Sequence, residues 1–207
     1  LKRFTLKGEA GAALQHFVLL DEHTDDMTET APAAEAGAPT DAAYMLYTSG
    51  STGAPKGAIV RQNGAINHIY GQFRELAFHR GSAFLQSAPS SSDISVWQFL
   101  APLLIGGRTV IADFETVCDA ARLFRLIHDE RITLIELVPV VLKELLDHAA
   151  ARPPAERALP ALEFAMVTGE AVSVALVNQW FHTYGAIPLV NAYGPTEAAD
   201  DICQAIL

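Results

Sequence analysis

The sequence predicts an α/β fold built on a mostly parallel sheet flanked by helices, and three observations lead there. From Ala42 onward, short apolar runs alternate with longer stretches whose apolar residues recur three and four apart, the habit of a sheet wrapped by helices. The chain has 207 residues and is half hydrophobic, which is enough for one sizeable core. The stretches richest in glycine, hydroxyls and acids each follow an apolar run, where the carboxyl edge of a parallel sheet collects loops and helix N-termini.

Residues 15–21 read as a short strand, and residues 22–40 are acidic, rich in Ala, Thr and Pro, and without apolar periodicity. The expected division is therefore 1–41 as an N-terminal strand with a loose linker and 42–207 as the α/β core. Within the core the predicted strands are residues 43–46, 83–88, 108–112, 132–138, 162–167 and 187–191. Ile66, Ile69, Tyr70, Phe73, Leu76 and Ala77 mark one helix; Val96, Phe99, Leu100, Leu103 and Leu104 a second; Leu123, Leu126 and Ile127 a third. Residues 140–148 and 173–184 complete the set, with Ser173 as N-cap and Gly185 as stop. Residues 151–160, with three prolines, form a connecting loop.

After the first core strand comes Tyr47-Thr48-Ser49-Gly50-Ser51-Thr52-Gly53-Ala54-Pro55-Lys56-Gly57. Its three glycines allow turns that gather backbone N–H groups into an anion nest, its four Ser and Thr hydroxyls add donors, and Lys56 adds a point charge, so the loop suits phosphate. It is not a Walker loop, because Pro55 stands where that motif needs glycine and Gly57 where it needs Ser or Thr. A flexible Ser/Gly turn is the bland alternative.

A net charge of −10 and no basic stripe argue against nucleic acid as a partner. Cys118 and Cys203 lack metal or redox spacing, which suits a reduced cytoplasmic setting. No apolar run reaches membrane-spanning length and no signal-peptide core follows Leu1-Lys2-Arg3-Phe4, so no membrane association is expected. His68, His79, His128, His148 and His182 are placed on helices without a paired carboxylate or metal-like spacing, and read as surface or structural residues.

The loop resembles the core signature of the adenylate-forming enzymes, and two further segments agree in order. Asp93-Ile94-Ser95-Val96-Trp97 is similar to the stretch that opens the amino-acid pocket of nonribosomal peptide synthetase adenylation domains, and Asn191-Ala192-Tyr193-Gly194-Pro195-Thr196-Glu197 to their adenine and magnesium motif. The resemblance implies a flavodoxin-like subdomain of that family's large lobe, and a reaction joining an amino-acid carboxylate to the α-phosphorus of ATP before transfer to the phosphopantetheine thiol of a carrier protein. It implies that Thr52, Lys56, Thr196 and Glu197 serve catalysis. Thr52 and neighbouring hydroxyls (Thr48, Ser49, Ser51, with Gly50, Gly53 and Gly57) would hold the leaving phosphates, Thr196 the α-phosphate and Glu197 the Mg²⁺. Gly169, Glu170, Ala171, Asn191, Ala192, Tyr193 and Gly194 would border the nucleotide, Tyr193 by stacking. The implied partners are an amino acid, a peptidyl carrier protein and the remainder of the synthetase.

By the same resemblance the substrate pocket is Asp93, Ile94, Trp97, Glu136, Met166, Thr168, Ala192, Asp200 and Asp201, with Asp93 holding the α-ammonium; helix capping by Asp93 is compatible with that role. Ser92 departs from the aromatic that usually precedes the Asp. Glu136 interrupts a run that reads as a buried strand, so its carboxylate needs a cation or donor. A basic amino-acid substrate would supply one; Arg131, Lys143 or a buried water are the alternatives. Complete adenylation domains also carry a ribose-binding acid, a hinge and a small lobe with a catalytic lysine, none of which is found here. The chain is therefore expected to be an internal piece of a larger enzyme with little adenylation of its own. An acyl- or aryl-CoA ligase of the same superfamily and a non-catalytic nucleotide-binding fragment stay open as rival readings.

Overall fold

The computed structural model describes residues 37–49 and 53–207; the strand expected over 15–21 and the loop residues Gly50, Ser51 and Thr52 lie outside them. Strands β1 (Ala42–Thr48) and β2 (Lys56–Arg61) form an antiparallel ribbon that pairs Tyr44 with Val60, Leu46 with Ala58 and Thr48 with Lys56. The expectation that residues 43–46 open the parallel sheet is thereby corrected, and the glycine-hydroxyl loop joins two antiparallel strands. Side-chain alternation explains it. Tyr44, Leu46 and Thr48 are half-buried while Ala43, Met45 and Tyr47 face solvent, the period-two pattern of a sheet with one wet face.

Helix α1 (Gln62–Leu76) follows β2 directly. Its start is tied to the preceding segment, since Gln62 and Asn63 donate their N–H groups to the carbonyls of Asp41 and Pro39, both at 2.9 Å. Then come β3 (Ala83–Gln86), α2 (Asp93–Leu104), β4 (Arg108–Ile111), a single turn α3 (Phe114–Val117), α4 (Ala120–Asp129), β5 (Leu134–Leu137), α5 (Pro139–Ala150), β6 (Phe164–Val167), α6 (Val174–Tyr184), β7 (Leu189–Tyr193) and β8 (Cys203–Ile206). Ser173 caps α6 as expected, its Oγ accepting the Leu176 N–H at 3.2 Å. Gly185 does end that helix, but with right-handed φ −55.

These strands form one sheet in the order β4-β3-β5-β6-β7-β8, parallel except for β8. Counted in chain order, the parallel strands lie 2-1-3-4-5, the doubly wound flavodoxin-like arrangement, whose topological switch falls between β3 and β5. Apolar side chains pack on both faces. Leu85, Ile135, Val167 and Leu189 meet Leu123, Phe124, Leu142 and Trp180 of α4–α6; on the other side Phe84, Leu134, Met166 and Val190 meet Ile69, Leu76 and Trp97 of α1 and α2. Among the described residues no helix is long and apolar enough to cross a membrane, and Cys118 and Cys203 are free.

Buried Thr133 joins β3 to the approach of β5, its Oγ1 accepting the Ala83 N–H at 3.0 Å. Thr133→Val keeps the shape but leaves that N–H unpaired. The expected cost is about 1–2 kcal/mol, read as a lower urea midpoint at unchanged slope.

Candidate functional site

At the switch point a buried glutamine fixes the loop between β3 and α2. Gln98 Oε1 accepts the N–H groups of Ser87 and Ala88 at 3.0 and 3.1 Å, while its Nε2 donates to the Glu136 carbonyl at 3.1 Å and to Glu136 Oε2 at 3.3 Å. Asp93 is thus delivered to the first turn of α2, where the helix dipole favours a negative charge. Its Oδ1 accepts the Ile94 N–H at 3.0 Å and the Ser92 hydroxyl at 3.2 Å; its Oδ2 accepts the Thr196 hydroxyl at 2.6 Å. The N-cap position itself belongs to Ser92, whose side chain caps nothing.

Glu136 sits in the middle of the sheet, 1% exposed, beside Met166 of β6. Neither Arg131 nor Lys143 meets it: Lys143 pairs with Asp147 on its own helix. The Trp97 indole N–H donates to Oε2 at 2.6 Å, and Oε1 has no partner among the described residues. Burial, then the charges of Asp201 and Asp200, push the Glu136 carboxyl well above its ordinary range, against the pull of the Trp97 and Gln98 hydrogen bonds.

The chain returns to this cluster after β7. A 3₁₀ turn over Thr196–Ala198 is followed by two non-glycine residues with left-handed backbone, Ala199 at φ 68 and Asp200 at φ 82. Such conformations cost about 1–3 kcal/mol each and persist where surrounding structure enforces them. They place Asp200 in the interior, pushed up to about 8 by burial and by its acidic neighbours Asp201 and Asp93. Asp201 rises to about 6, mainly by burial, while its Oδ1 accepts the Thr168 hydroxyl at 3.2 Å.

His68 corrects the reading of the histidines as lacking carboxylate neighbours. Its Nδ1 lies 3.9 Å from Asp200 Oδ2 and its ring meets Trp97 edge-on at 5.7 Å. Burial lowers it to about 4, so it stands as a neutral imidazole at pH 7. His79, in a loop and not a helix, meets Glu163 at 3.1 Å, and His128 meets Asp129 at 2.9 Å, both at the surface. Tyr44 of the ribbon also belongs here, raised to about 12 by burial and then by Asp200 and Asp93.

Two cavities flank the cluster. One of about 450 Å³ opens at the switch point, with Ile94, Val138, Glu136 and Thr168 in its walls. The other, about 540 Å³, is lined by Asn67, His68, Gln72, Asp201 and Gln204. Of the expected pocket residues, Asp93, Ile94, Trp97, Glu136, Met166, Thr168, Ala192, Asp200 and Asp201 all lie on the sheet's carboxyl edge or against it. On the nucleotide side, Asn191, Ala192 and Tyr193 end β7 with the Tyr193 side 65% exposed, and Gly169 (φ 84), Glu170 and Ala171 form an exposed bend after β6. Thr48, Ser49, Gly53, Lys56 and Gly57 remain on the ribbon, with no described hydrogen bond or ion pair to the carboxylates. Glu197 is exposed and has no ion-pair partner among the described residues, where no group of three His, Cys, Asp or Glu could hold a metal unaided.

Three residues of this site were not anticipated: Gln98, His68 and Tyr44. Gln98 alone carried a signal, as a polar residue inside an apolar helical stretch.

The family model described as AMP-binding enzyme matches residues 6–204. The chain is 37% identical over 201 residues to vanchrobactin synthetase VabF of Vibrio anguillarum, covering 96% of this chain and 7% of that protein. Among solved structures it resembles the Vibrio cholerae adenylation domain AlmE in complex with glycyl-adenosine-5'-phosphate, with TM-score 0.72 and 25% identity over 82% of this chain and 31% of that one. It also resembles an NRPS protein containing adenylation and PCP domains, with TM-score 0.73 and 28% identity over 86% of this chain and 34% of that one.

Proposed function

The chain belongs to the AMP-binding enzyme family, and from that premise we propose that the polypeptide carrying it activates an amino acid, condensing its carboxylate with ATP to an aminoacyl adenylate and pyrophosphate before loading a carrier-protein thiol. One observation carries the reading: Thr196 of the β7–β8 turn donates to Asp93 at the start of α2, across 103 residues of chain. One hydroxyl thereby ties the turn proposed to meet the α-phosphate to the carboxylate proposed to hold the α-ammonium. Positioning two reactants side by side is the main service such a reaction needs.

The residues present fit the nucleotide and its metal. Tyr193 offers an exposed ring, Gly169 an exposed left-handed bend after the neighbouring strand, and Glu197 a carboxylate without an ion-pair partner among the described residues, of the hard-oxygen kind that magnesium takes alongside water and phosphate. Magnesium, when bound, supplies neutralisation of phosphate charge as pyrophosphate departs. The proposed work of the chain itself is to hold and orient: Asp93 and Thr196 as above, with Lys56 and the ribbon loop on the leaving phosphates. Because the chain spans 7% of the relative named first, we propose that the 207 residues alone support little or no adenylation.

Amino-acid-dependent exchange of labelled pyrophosphate into ATP, by the polypeptide that carries this chain, tests the reading. Glu197→Gln is expected to slow exchange about 100-fold. Equal exchange with carboxylic acids lacking an α-amino group would overturn it.

A further inference from the structure

Every buried side-chain polar atom left without a hydrogen bond among the described residues is an amide or carboxyl oxygen: Gln72 Oε1, Glu136 Oε1, Asp200 Oδ2, Asp201 Oδ2 and Gln204 Oε1. None is a nitrogen. Three of the five belong to carboxylates, and Glu136 and Asp200 are 1% and 3% exposed. Buried acids normally find a protein partner, yet among the described residues no lysine or arginine pairs with Asp93, Glu136, Asp200 or Asp201.

We propose, resting on the amino-acid adenylation reading above, that the substrate is an amino acid whose side chain ends in an ammonium or guanidinium group, held by Glu136 and Asp201. Complementarity selects a cation over a neutral polar tip. Once ionised the carboxylates only accept, so ammonium and guanidinium groups, which carry donors only and bring the opposite charge, match them, whereas a hydroxyl or amide brings no charge and an acceptor of its own. The walls agree with a long apolar stem ending in charge, because Ile94, Leu137 and Val138 line the switch-point cavity around Glu136 and Thr168. Thr168 joins the two acids, lining that cavity while its hydroxyl donates to Asp201 at 3.2 Å. Asp93 is not the side-chain anchor, since the proposed function already gives it the α-ammonium.

Without a cation, Asp200, pushed up to about 8, holds a proton at pH 7, and burial biases Glu136 the same way, so a cationic ligand displaces protons. The groups that face one another here are Asp93, Glu136, Asp200, Asp201, His68 and Tyr44.

The experiment compares ornithine, lysine and arginine with their neutral counterparts norleucine and citrulline, and with the remaining common amino acids, in pyrophosphate exchange by the polypeptide that carries this chain. One cationic acid is expected to exceed every neutral acid in kcat/KM by at least about tenfold. Glu136→Gln and Asp201→Asn are expected to lose about tenfold or more for that acid while narrowing its advantage over the neutral counterpart. If those variants do not fold, calorimetry of the preferred acid binding to the unmodified protein in two buffers of different ionisation enthalpy gives the second reading: net proton release is expected, and none would overturn the proposal. Exchange with norleucine, citrulline or another neutral acid at or above the cationic rate overturns the proposal and leaves adenylation standing. Exchange with no amino acid at all removes the adenylation reading and the proposal together.

Discussion

Gly194→Ala is expected to cut amino-acid-dependent pyrophosphate exchange by more than about 100-fold and to destabilise the protein by about 3 kcal/mol. The reason is steric. A Cβ at position 194 would stand 1.9 Å from the Asp200 carbonyl oxygen and 2.6 Å from the Asp201 Cα, so backbone and not a flexible side-chain end must move. That backbone has little room to give, because Ile202 donates to the Tyr193 carbonyl at 2.9 Å and Tyr193 pairs with Cys203, which fixes where the crossing segment returns. Displacing residues 200 and 201 moves the buried Asp200 and the half-buried Asp201 and breaks the Thr168–Asp201 contact in the same step. For unfolding, though not for exchange, Gly53→Ala is the fitting control: its φ is +85 but nothing among the described residues lies within 4 Å, so only left-handed strain of about 1 kcal/mol is added. If urea unfolding places Gly194→Ala within error of the parent and exchange persists, the close crossing does not occur as described.

Much of this site is written locally in the chain. The Asp93 stretch and the Asn191–Glu197 stretch are contiguous, and each follows a strand of the main sheet, so their shared edge follows from strand periodicity and the habit of parallel sheets; the glycine-hydroxyl loop is as easily read, but it joins the two strands of the separate ribbon. Pairing is less legible. Residues 43–46 look like any short apolar strand, and only the half-buried alternation, repeated by Ala58 and Val60, shows that they pair with β2 outside the main sheet. β2 and β8 escaped notice because one begins inside a loop motif and the other is a mostly exposed edge strand. The partners of Glu136 were out of reach for a different reason. Trp97 and Gln98 are 39 and 38 residues away, and nothing in either segment states that a helix and a strand will meet there. His68 likewise reads as one polar residue of α1 until Asp200 folds back against it.

Stability of the substrate-free protein is expected to fall as pH rises from about 4 to about 8, and Asp200→Asn is expected to remove a large part of that fall. Asp200 has an ordinary value of 3.8 and is pushed up to about 8 in the fold, so between those limits the folded state binds a proton that the unfolded chain has released. Stability therefore changes with negative slope: the contribution is complete below the unfolded value and is lost as pH climbs through the folded one. Asp201, raised to about 6, acts in the same direction over the lower half of the window, and Glu136, raised well above its ordinary range, joins them. His68 opposes. Its value is lowered from 6.5 to about 4, so the unfolded chain holds the extra proton there and stability rises with pH between those values. Two upward-shifted aspartates and a glutamate outweigh one downward-shifted histidine, and above pH 6.5 nothing from His68 remains to offset Asp200. The surface carboxyls of Asp113, Asp119 and Asp147 are shifted down by hydrogen bonds, so their changes fall below pH 4, outside this range. A tenfold difference in proton affinity between the folded and unfolded states corresponds to about 1.4 kcal/mol, and sharing of protons among the neighbouring acids reduces the sum, so Asp200→Asn is expected to stabilise by on the order of 3 kcal/mol at pH 8 and to change little at pH 4. Urea midpoints at pH 4, 6 and 8 for the parent and the variant read this directly. A parent whose stability is flat or rises between pH 6 and 8 would mean that Asp200 has a counter-charge, and the cluster's want of a cationic partner would be gone with it.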